Sequence, residues 1–180
     1  MTSLQKIALA AGLAAFVAIP SASRAEATIK EADAAIKAIK KADPSLKKFF
    51  GKSAGYAVFP NVAKGGLVIG GAGGSGFVYV NGKPVGKTTL SQATIGAQVG
   101  GEAFYEIIFF ETKEALAAFQ KGEWAMAAQV SAVALKSGAS SNADYKDGVA
   151  VFTLTKGGAM AEASVGGQKF SYEPLNAKKK

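Results

Sequence analysis

The stretch GFVYVNGKPV, residues 76–85, places the dipeptide Asn81-Gly82 between two runs of β-branched and aromatic residues. Both central positions of a type I′ turn need positive φ, which asparagine and glycine adopt most readily. The sequence therefore predicts an antiparallel hairpin here. Proline cannot donate to a strand ladder, so we expect Pro84 at a sheet edge or a bulge.

Similar short runs continue outward from this hairpin, separated by glycines, and only Gly12 among the 22 glycines precedes Gly51. Short β-rich runs punctuated by glycine are typical of many strands joined by tight turns. The predicted strands cover residues 56–59, 66–70, 76–80, 85–90, 94–99, 104–110, 148–155, 159–165 and 169–172.

Three helices are expected around these strands. Residues 26–43 carry apolar side chains at spacings of three and four, and Pro44 ends the pattern. A short helix follows at residues 45–50, and residues 112–121 form a helix between strands, with Thr112 as its cap.

Residues 124–135 are ambiguous, because their alanines favour a helix while the larger side chains alternate as in a strand. We favour the strand. The predicted fold class is α+β: a mainly antiparallel sheet, arranged as a sandwich or partly closed barrel, with amino-terminal helices and one helix inserted between strands.

The beginning of the chain is typical of a secretory signal, with a lysine, the apolar run of residues 7–19 and then small residues. We therefore expect residues 1–25 to be a signal peptide, residues 26–175 to be a single domain, and residues 176–180 to be a basic tail. The mature protein is expected to be exported, periplasmic or secreted, and peripheral on a membrane if it is attached at all.

Cleavage after Ala25 is our first choice, with cleavage after Ala22 or Ala27 as alternatives. Loss of Lys6 and Arg24 with the signal lowers the formal charge from +8 by two, to +6. A basic chain favours an anionic partner, and export argues against nucleic acid.

The 180-residue chain contains no cysteine and no histidine. Disulfides, thiolate chemistry, zinc fingers and serine-histidine-aspartate triads therefore lack their essential atoms. We expect no metal, no cofactor and no catalytic residues.

Two glycine-rich segments resemble phosphate-binding loops but lack the required context. Residues 71–76 fit the pattern GxGxxG, yet a strand follows where a helix amino terminus must receive the phosphate. Residues 82–88 have one residue too few between the glycines of a Walker A loop. We expect no nucleotide and interpret the glycines of the first segment as sites of a bulge or a close strand crossing.

Glu102 and Glu106 fall on one face of a predicted strand, as a pair of catalytic carboxylates would. A hydrolase that uses them is one hypothesis. We favour a simpler interpretation, in which both are solvent-facing positions of a half-buried sheet.

The first helix combines an apolar stripe with lysines, as helices that lie on anionic bilayers do. An alternative is that its isoleucines dock on the sheet and its lysines are only solvated. The candidate lipid-binding residues are Lys30, Lys37, Lys40, Lys41, Lys47 and Lys48.

Six stretches, in order along most of the chain, resemble the SYLF domain, also called the Ysc84-like or DUF500 family. They are residues 53–60, 64–71, 94–101, 106–110, 128–134 and 166–172. The resemblance implies a lipid-binding domain. It also implies that eukaryotic relatives bind phosphoinositides through a basic amino-terminal segment, and that some engage actin.

We therefore expect a non-enzymatic protein that binds anionic phospholipid at a membrane surface in the cell envelope. The alternative is a structural or assembly protein of the envelope that binds a protein partner.

Overall fold

The computed structural model describes residues 26–66, 69–95, 101–122, 124–156 and 165–176. The predicted signal peptide, nearly all of the predicted strand at residues 159–165 and the end of the basic tail lie outside these ranges.

The described chain forms three α-helices, one 3₁₀ turn and eight strands. The helical elements are α1 (Ile29–Ala42), the 3₁₀ turn (Pro44–Leu46), α2 (Lys47–Lys52) and α3 (Lys113–Gln120). The strands are β1 (Gly55–Gly66), β2 (Ile69–Val80), β3 (Lys83–Ile95), β4 (Gly101–Phe110), β5 (Trp124–Ala125), β6 (Val133–Ala134), β7 (Val149–Thr155) and β8 (Lys169–Pro174).

The strands form one sheet in the order β5-β8-β3-β2-β1-β4-β7-β6. Every neighbouring pair is antiparallel except β6 with β7, which is parallel. With three helices added, this confirms the predicted α+β class and the mainly antiparallel sheet.

The hairpin between β2 and β3 turns at Asn81 and Gly82, whose φ angles are 51° and 74°. The positive φ values are those that the turn requires. Pro84 pairs with Tyr79 where the register between β2 and β3 shifts. The predicted hairpin and bulge are both confirmed.

The sheet curls into a half-barrel. The rings of Phe59 on β1 and Phe170 on β8 lie 5.7 Å apart, although two strands separate β1 from β8 in the sheet. A flat sheet would hold these side chains about 14 Å apart, given strand spacings near 4.8 Å. The inner face of the curled sheet therefore encloses a core of its own.

Residues 126–132, which we call the strap, join the two ends of this sheet. The strap follows β5, which pairs with β8 at one end, and precedes β6, which pairs with β7 at the other. The strand predicted for residues 124–135 is therefore right only at its two ends. Alternation cannot reveal a segment that must leave one edge and cross to the opposite edge.

Two apolar clusters occupy the two faces of the sheet. The inner cluster includes Phe59, Ile108 and Phe170, with Leu116 and Phe119 of α3 packed against them. On the outer face, a second cluster unites strand residues with buried side chains of α1 and α2. None of the helices in the described residues is long and apolar enough to cross a bilayer.

Candidate functional site

Helix α1 begins with a capping box that fixes its first turn. The Thr28 hydroxyl accepts from the Glu31 backbone N–H at 3.2 Å, and the Glu31 carboxylate accepts from the Thr28 backbone N–H at 2.8 Å. These bonds satisfy donors that a helix start otherwise leaves free. They also hold Glu31 in place at the first turn.

The apolar stripe of α1 is buried against the sheet. Ile36 is 9% exposed and Ile39 is fully buried, both within the outer cluster. The alternative stated from the sequence, in which isoleucines of this helix dock on the sheet, is therefore correct for Ile36 and Ile39. Among large apolar residues of α1, Ile29 is the exposed one, at 40%.

The lysines of α1 lie on its solvent side. With 3.6 residues per turn, Lys30, Lys37 and Lys41 project away from the buried stripe, and all three are exposed. We call these three residues the lysine face. None of them has a hydrogen bond or ion pair within the described residues.

The carboxylates of α1 are engaged by groups other than these lysines. Asp33 accepts from the Tyr79 hydroxyl at 2.8 Å, and Glu31 accepts from Thr28. Burial and the bond to Asp33 raise the pKa of the Tyr79 hydroxyl above its ordinary value. The positive charge of the lysine face is therefore not neutralised by short ion pairs on its own helix.

The three other candidate lysines differ in their surroundings. The Lys40 ammonium lies 4.2 Å from the centroid of the Phe50 ring, a cation–π contact that leaves it exposed. Lys47 is exposed on α2 and has no partner among the residues described. Lys48 donates to the backbone carbonyls of Ser141 and Ala143 at 2.8 and 3.0 Å.

The structure thus brings Lys30, Lys37 and Lys41 together on one helix surface. Lys48 has a different role, because its ammonium group is bonded to backbone carbonyls. Lys48 fixes the loop that follows β6, and its ammonium also lies 4.9 Å from the Phe49 ring centroid. Its partners are more than ninety positions away in sequence, so no local pattern reveals this bond.

The two carboxylates considered for catalysis have different environments. Glu102 is exposed, whereas Glu106 is fully buried on the inner face of β4 and accepts from the Gln168 side-chain amide at 3.1 Å. The solvent-facing position expected for Glu106 is therefore wrong, and the two carboxylates do not lie together at a solvent-exposed surface. Burial raises its pKa to about 8, although the Gln168 bond lowers it in part.

The glycines of residues 71–76 lie in β2, not in a loop before a helix. A Cβ atom on Gly74 would lie 2.8 Å from the Asn61 carbonyl oxygen, and one on Gly76 would collide with the Val58 carbonyl oxygen. Close approach between β1 and β2 therefore explains Gly74 and Gly76, as expected from the sequence.

A pocket that was not predicted from the sequence lies beside the amino-terminal end of α1. Its volume is about 250 Å³, and its polar lining includes Glu31, Asn61, Ser75, Tyr105 and Lys156. These residues come from α1, β1, β2 and β4 and from the end of β7. Their sequence separations leave no motif that could have predicted the pocket.

Comparison with known proteins identifies the family. Residues 91–176 match a family model described as Ysc84, Las17-binding protein actin regulator. Beta cell expansion factor A of Aeromonas veronii is 34% identical over 127 residues, which cover 69% of this chain and 48% of that protein. The chain spans about half the length of this curated relative.

The chain is therefore a SYLF-type domain protein, and it belongs to the Ysc84 family. This confirms the resemblance found in the sequence. Neither matching description names an enzyme. The lysine face lies ahead of the range that the family model matches.

Proposed function

We propose that this protein binds anionic phospholipid surfaces peripherally and without catalysis, through the lysine face of α1. The observation that carries the proposal is the geometry of Lys30, Lys37 and Lys41. Three ammonium groups project from one exposed helix surface, without short ion pairs among the described residues, and the opposite surface is fixed to the sheet. A rigid support spares the binding step the entropy of ordering a helix.

The contact that we propose is electrostatic and does not require the helix to insert. Lysines near an anionic bilayer contribute about 1 kcal/mol each, and three of them give a useful but reversible affinity. Since Ile36 and Ile39 are buried in the outer cluster, their side chains are not offered to the hydrocarbon region. Binding should therefore weaken as salt screens the charges.

Export forms part of the proposal, because it would bring the lysine face to envelope phospholipid. We take residues 1–25 as the signal peptide, so the mature chain would start at Glu26. Mass spectrometry of the mature protein should then show the loss of these 25 residues. A mature protein that retains residues 1–25 would contradict this part of the proposal alone.

The experiment is sedimentation with vesicles of phosphatidylcholine that contain phosphatidylglycerol. The triple variant Lys30→Glu, Lys37→Glu, Lys41→Glu should lose at least roughly a hundredfold in apparent affinity, because each lost lysine removes about 1 kcal/mol and the new carboxylates add repulsion. Lys40 is left in place because it contacts the Phe50 ring. Wild-type binding should also fall in high salt and on vesicles of phosphatidylcholine alone.

The matched control reverses three exposed lysines elsewhere, Lys83, Lys113 and Lys136. It changes the net charge equally, so it should retain most of the binding if the lysine face is the site. Equal losses in the two triple variants would mean that only total charge matters and would refute this site.

A protein partner is the second candidate function, because the family description names Las17 binding and actin regulation. That description concerns other members of the family, and here we propose only a protein-binding surface on the same domain. Absence of binding to the anionic vesicles by the folded wild-type protein at low salt would favour this candidate over the electrostatic one.

A further inference from the structure

The pocket beside α1 has a wall of hydrogen-bond donors. The Lys156 ammonium lies 3.4 Å from the Asn61 side-chain oxygen and 4.6 Å from the centroid of the Tyr105 ring. A lysine has three N–H donors, so donors remain for a ligand. The Ser75 hydroxyl accepts from the Ala27 backbone N–H at 2.8 Å and keeps its own proton to donate. This wall suits an anionic group.

The lining of the pocket also carries a negative charge. Glu31 lines the pocket, and its Oε2 atom accepts both bonds from Thr28, each at 2.8 Å. Its Oε1 atom has no hydrogen bond within the described residues. The backbone and side-chain bonds from Thr28, helped by the charge of Lys156, lower the pKa of Glu31. A ligand that carried only negative charge would be repelled here.

We propose that this pocket binds a zwitterion of the phosphoethanolamine type, with its phosphate on Lys156, Tyr105 and Ser75 and its primary ammonium group on Glu31. Each charge of the ligand then meets an opposite charge, and the ammonium N–H groups find the free carboxylate oxygen. The volume of about 250 Å³ lies below the roughly 300–1,000 Å³ typical of sites for drug-sized ligands. A polar headgroup alone is of suitable size.

The headgroup could belong to a membrane lipid or to a soluble molecule. The inference that it belongs to a membrane lipid rests on the proposed function. Ala34 lines the pocket and, one turn from both Lys30 and Lys37, it lies on the same exposed side of α1. A protein held by the lysine face would therefore present the pocket close to the bilayer. The same headgroup chemistry also occurs in soluble molecules, and the experiment separates the two sources.

The first test uses glycerophosphoethanolamine as a soluble probe, followed by backbone amide NMR shifts. Glycerophosphocholine, which has no N–H donor, and glycerol 3-phosphate, which has no ammonium group, serve as comparison ligands. We expect saturable shifts at Asn61 and Lys156, with glycerophosphoethanolamine bound roughly tenfold or more tightly than either comparison ligand, as charge-assisted hydrogen bonds allow. Equal binding of all three ligands, or none, would overturn the proposal.

Two variants assign the two ends of the ligand. Lys156→Gln should reduce affinity for glycerophosphoethanolamine roughly tenfold or more. Glu31→Gln preserves the capping box, in which glutamine also serves, and should abolish the preference over glycerol 3-phosphate. Lys83→Gln removes the same charge from the first residue of β3 and should leave binding unchanged. A loss as large in Lys83→Gln as in Lys156→Gln would contradict a specific site.

The second test uses uncharged vesicles of phosphatidylcholine with and without phosphatidylethanolamine. Binding that requires phosphatidylethanolamine and is lost in Lys156→Gln supports a lipid source, whereas binding of the soluble probe alone overturns that source. The lysine-face triple variant should still bind glycerophosphoethanolamine in solution. Failure of the pocket and failure of the lysine face would thus appear in different measurements.

Discussion

Asp43 shows how one residue can fix two distant parts of the chain. It is fully buried after α1 and accepts from the backbone N–H groups of Ser45, Gly138 and Ser140 at 3.0, 3.1 and 2.7 Å. Burial opposes ionisation of this carboxyl, but the hydrogen bonds from Ser45 and Ser140 outweigh it and lower the pKa to about 2. The sequence predicted only that the helix ends here, because Gly138 and Ser140 lie 95 and 97 positions away.

Asp43→Asn should destabilise the protein by about 1–3 kcal/mol at neutral pH, because an amide meets these donors with one fewer strong acceptor. The folded pKa of about 2 lies below the ordinary pKa of an aspartate, 3.8. The carboxylate therefore stabilises the fold above about pH 4, and this stabilisation is lost as pH falls towards 2. Urea unfolding at neutral and acidic pH measures both effects. An unchanged acid dependence in the variant would refute this role.

At the scale of elements, prediction succeeded where the cause is local. The turn at Asn81 and Gly82 and the end of α1 before Pro44 follow from backbone preferences of a few adjacent residues. Prediction failed for Glu106, which is fully buried and accepts a bond from Gln168, 62 positions away. The pocket at Lys156 was missed for a similar reason, since its lining comes from one helix, three strands and the residue that follows β7.

The close approach of β1 and β2 can be tested at Gly76. A methyl group there would collide with the Val58 carbonyl oxygen and lie 2.9 Å from a Phe59 ring carbon. Gly76→Ala should therefore destabilise by about 1–3 kcal/mol or prevent folding, as overpacking does. Gly51→Ala is the matched control, because a Cβ atom in α2 would contact nothing within 4 Å. It should be neutral or stabilising by up to about 1 kcal/mol, as thermal unfolding would show. Equal effects of the two substitutions would contradict the argument.

At the scale of the whole molecule, one side-chain bond joins opposite walls of the half-barrel. Gln168, next to β8, donates to Glu106 on β4 at 3.1 Å, and three strands separate β8 from β4 in the sheet. Glu106 Oε1, Gln168 Oε1 and Thr153 Oγ1 are buried and find no hydrogen-bond partner among the residues that the structure describes. A charged carboxylate in this setting would be poorly compensated, so the neutral acid is the favoured form.

Glu106→Gln should remove a pH dependence of global stability. The folded pKa of about 8 lies above the ordinary pKa of a glutamate, 4.5, so the native state holds its proton more tightly than the unfolded state. This contribution is fully present below about pH 4.5 and is lost as pH rises through about 8. Thermal unfolding at about pH 5 and pH 9 should show a decline in the wild type that the variant lacks. An identical decline in both proteins would disprove the assignment.

The strap has a consequence for self-association. Exposed edge strands can pair with strands of neighbouring chains, and such pairing leads to aggregation. Here the strap joins the short strands β5 and β6, which cover part of both outer borders, one next to β8 and one next to β7. Release of that segment would uncover both borders in one event, so the colloidal behaviour of the protein depends on how firmly residues 126–132 are held.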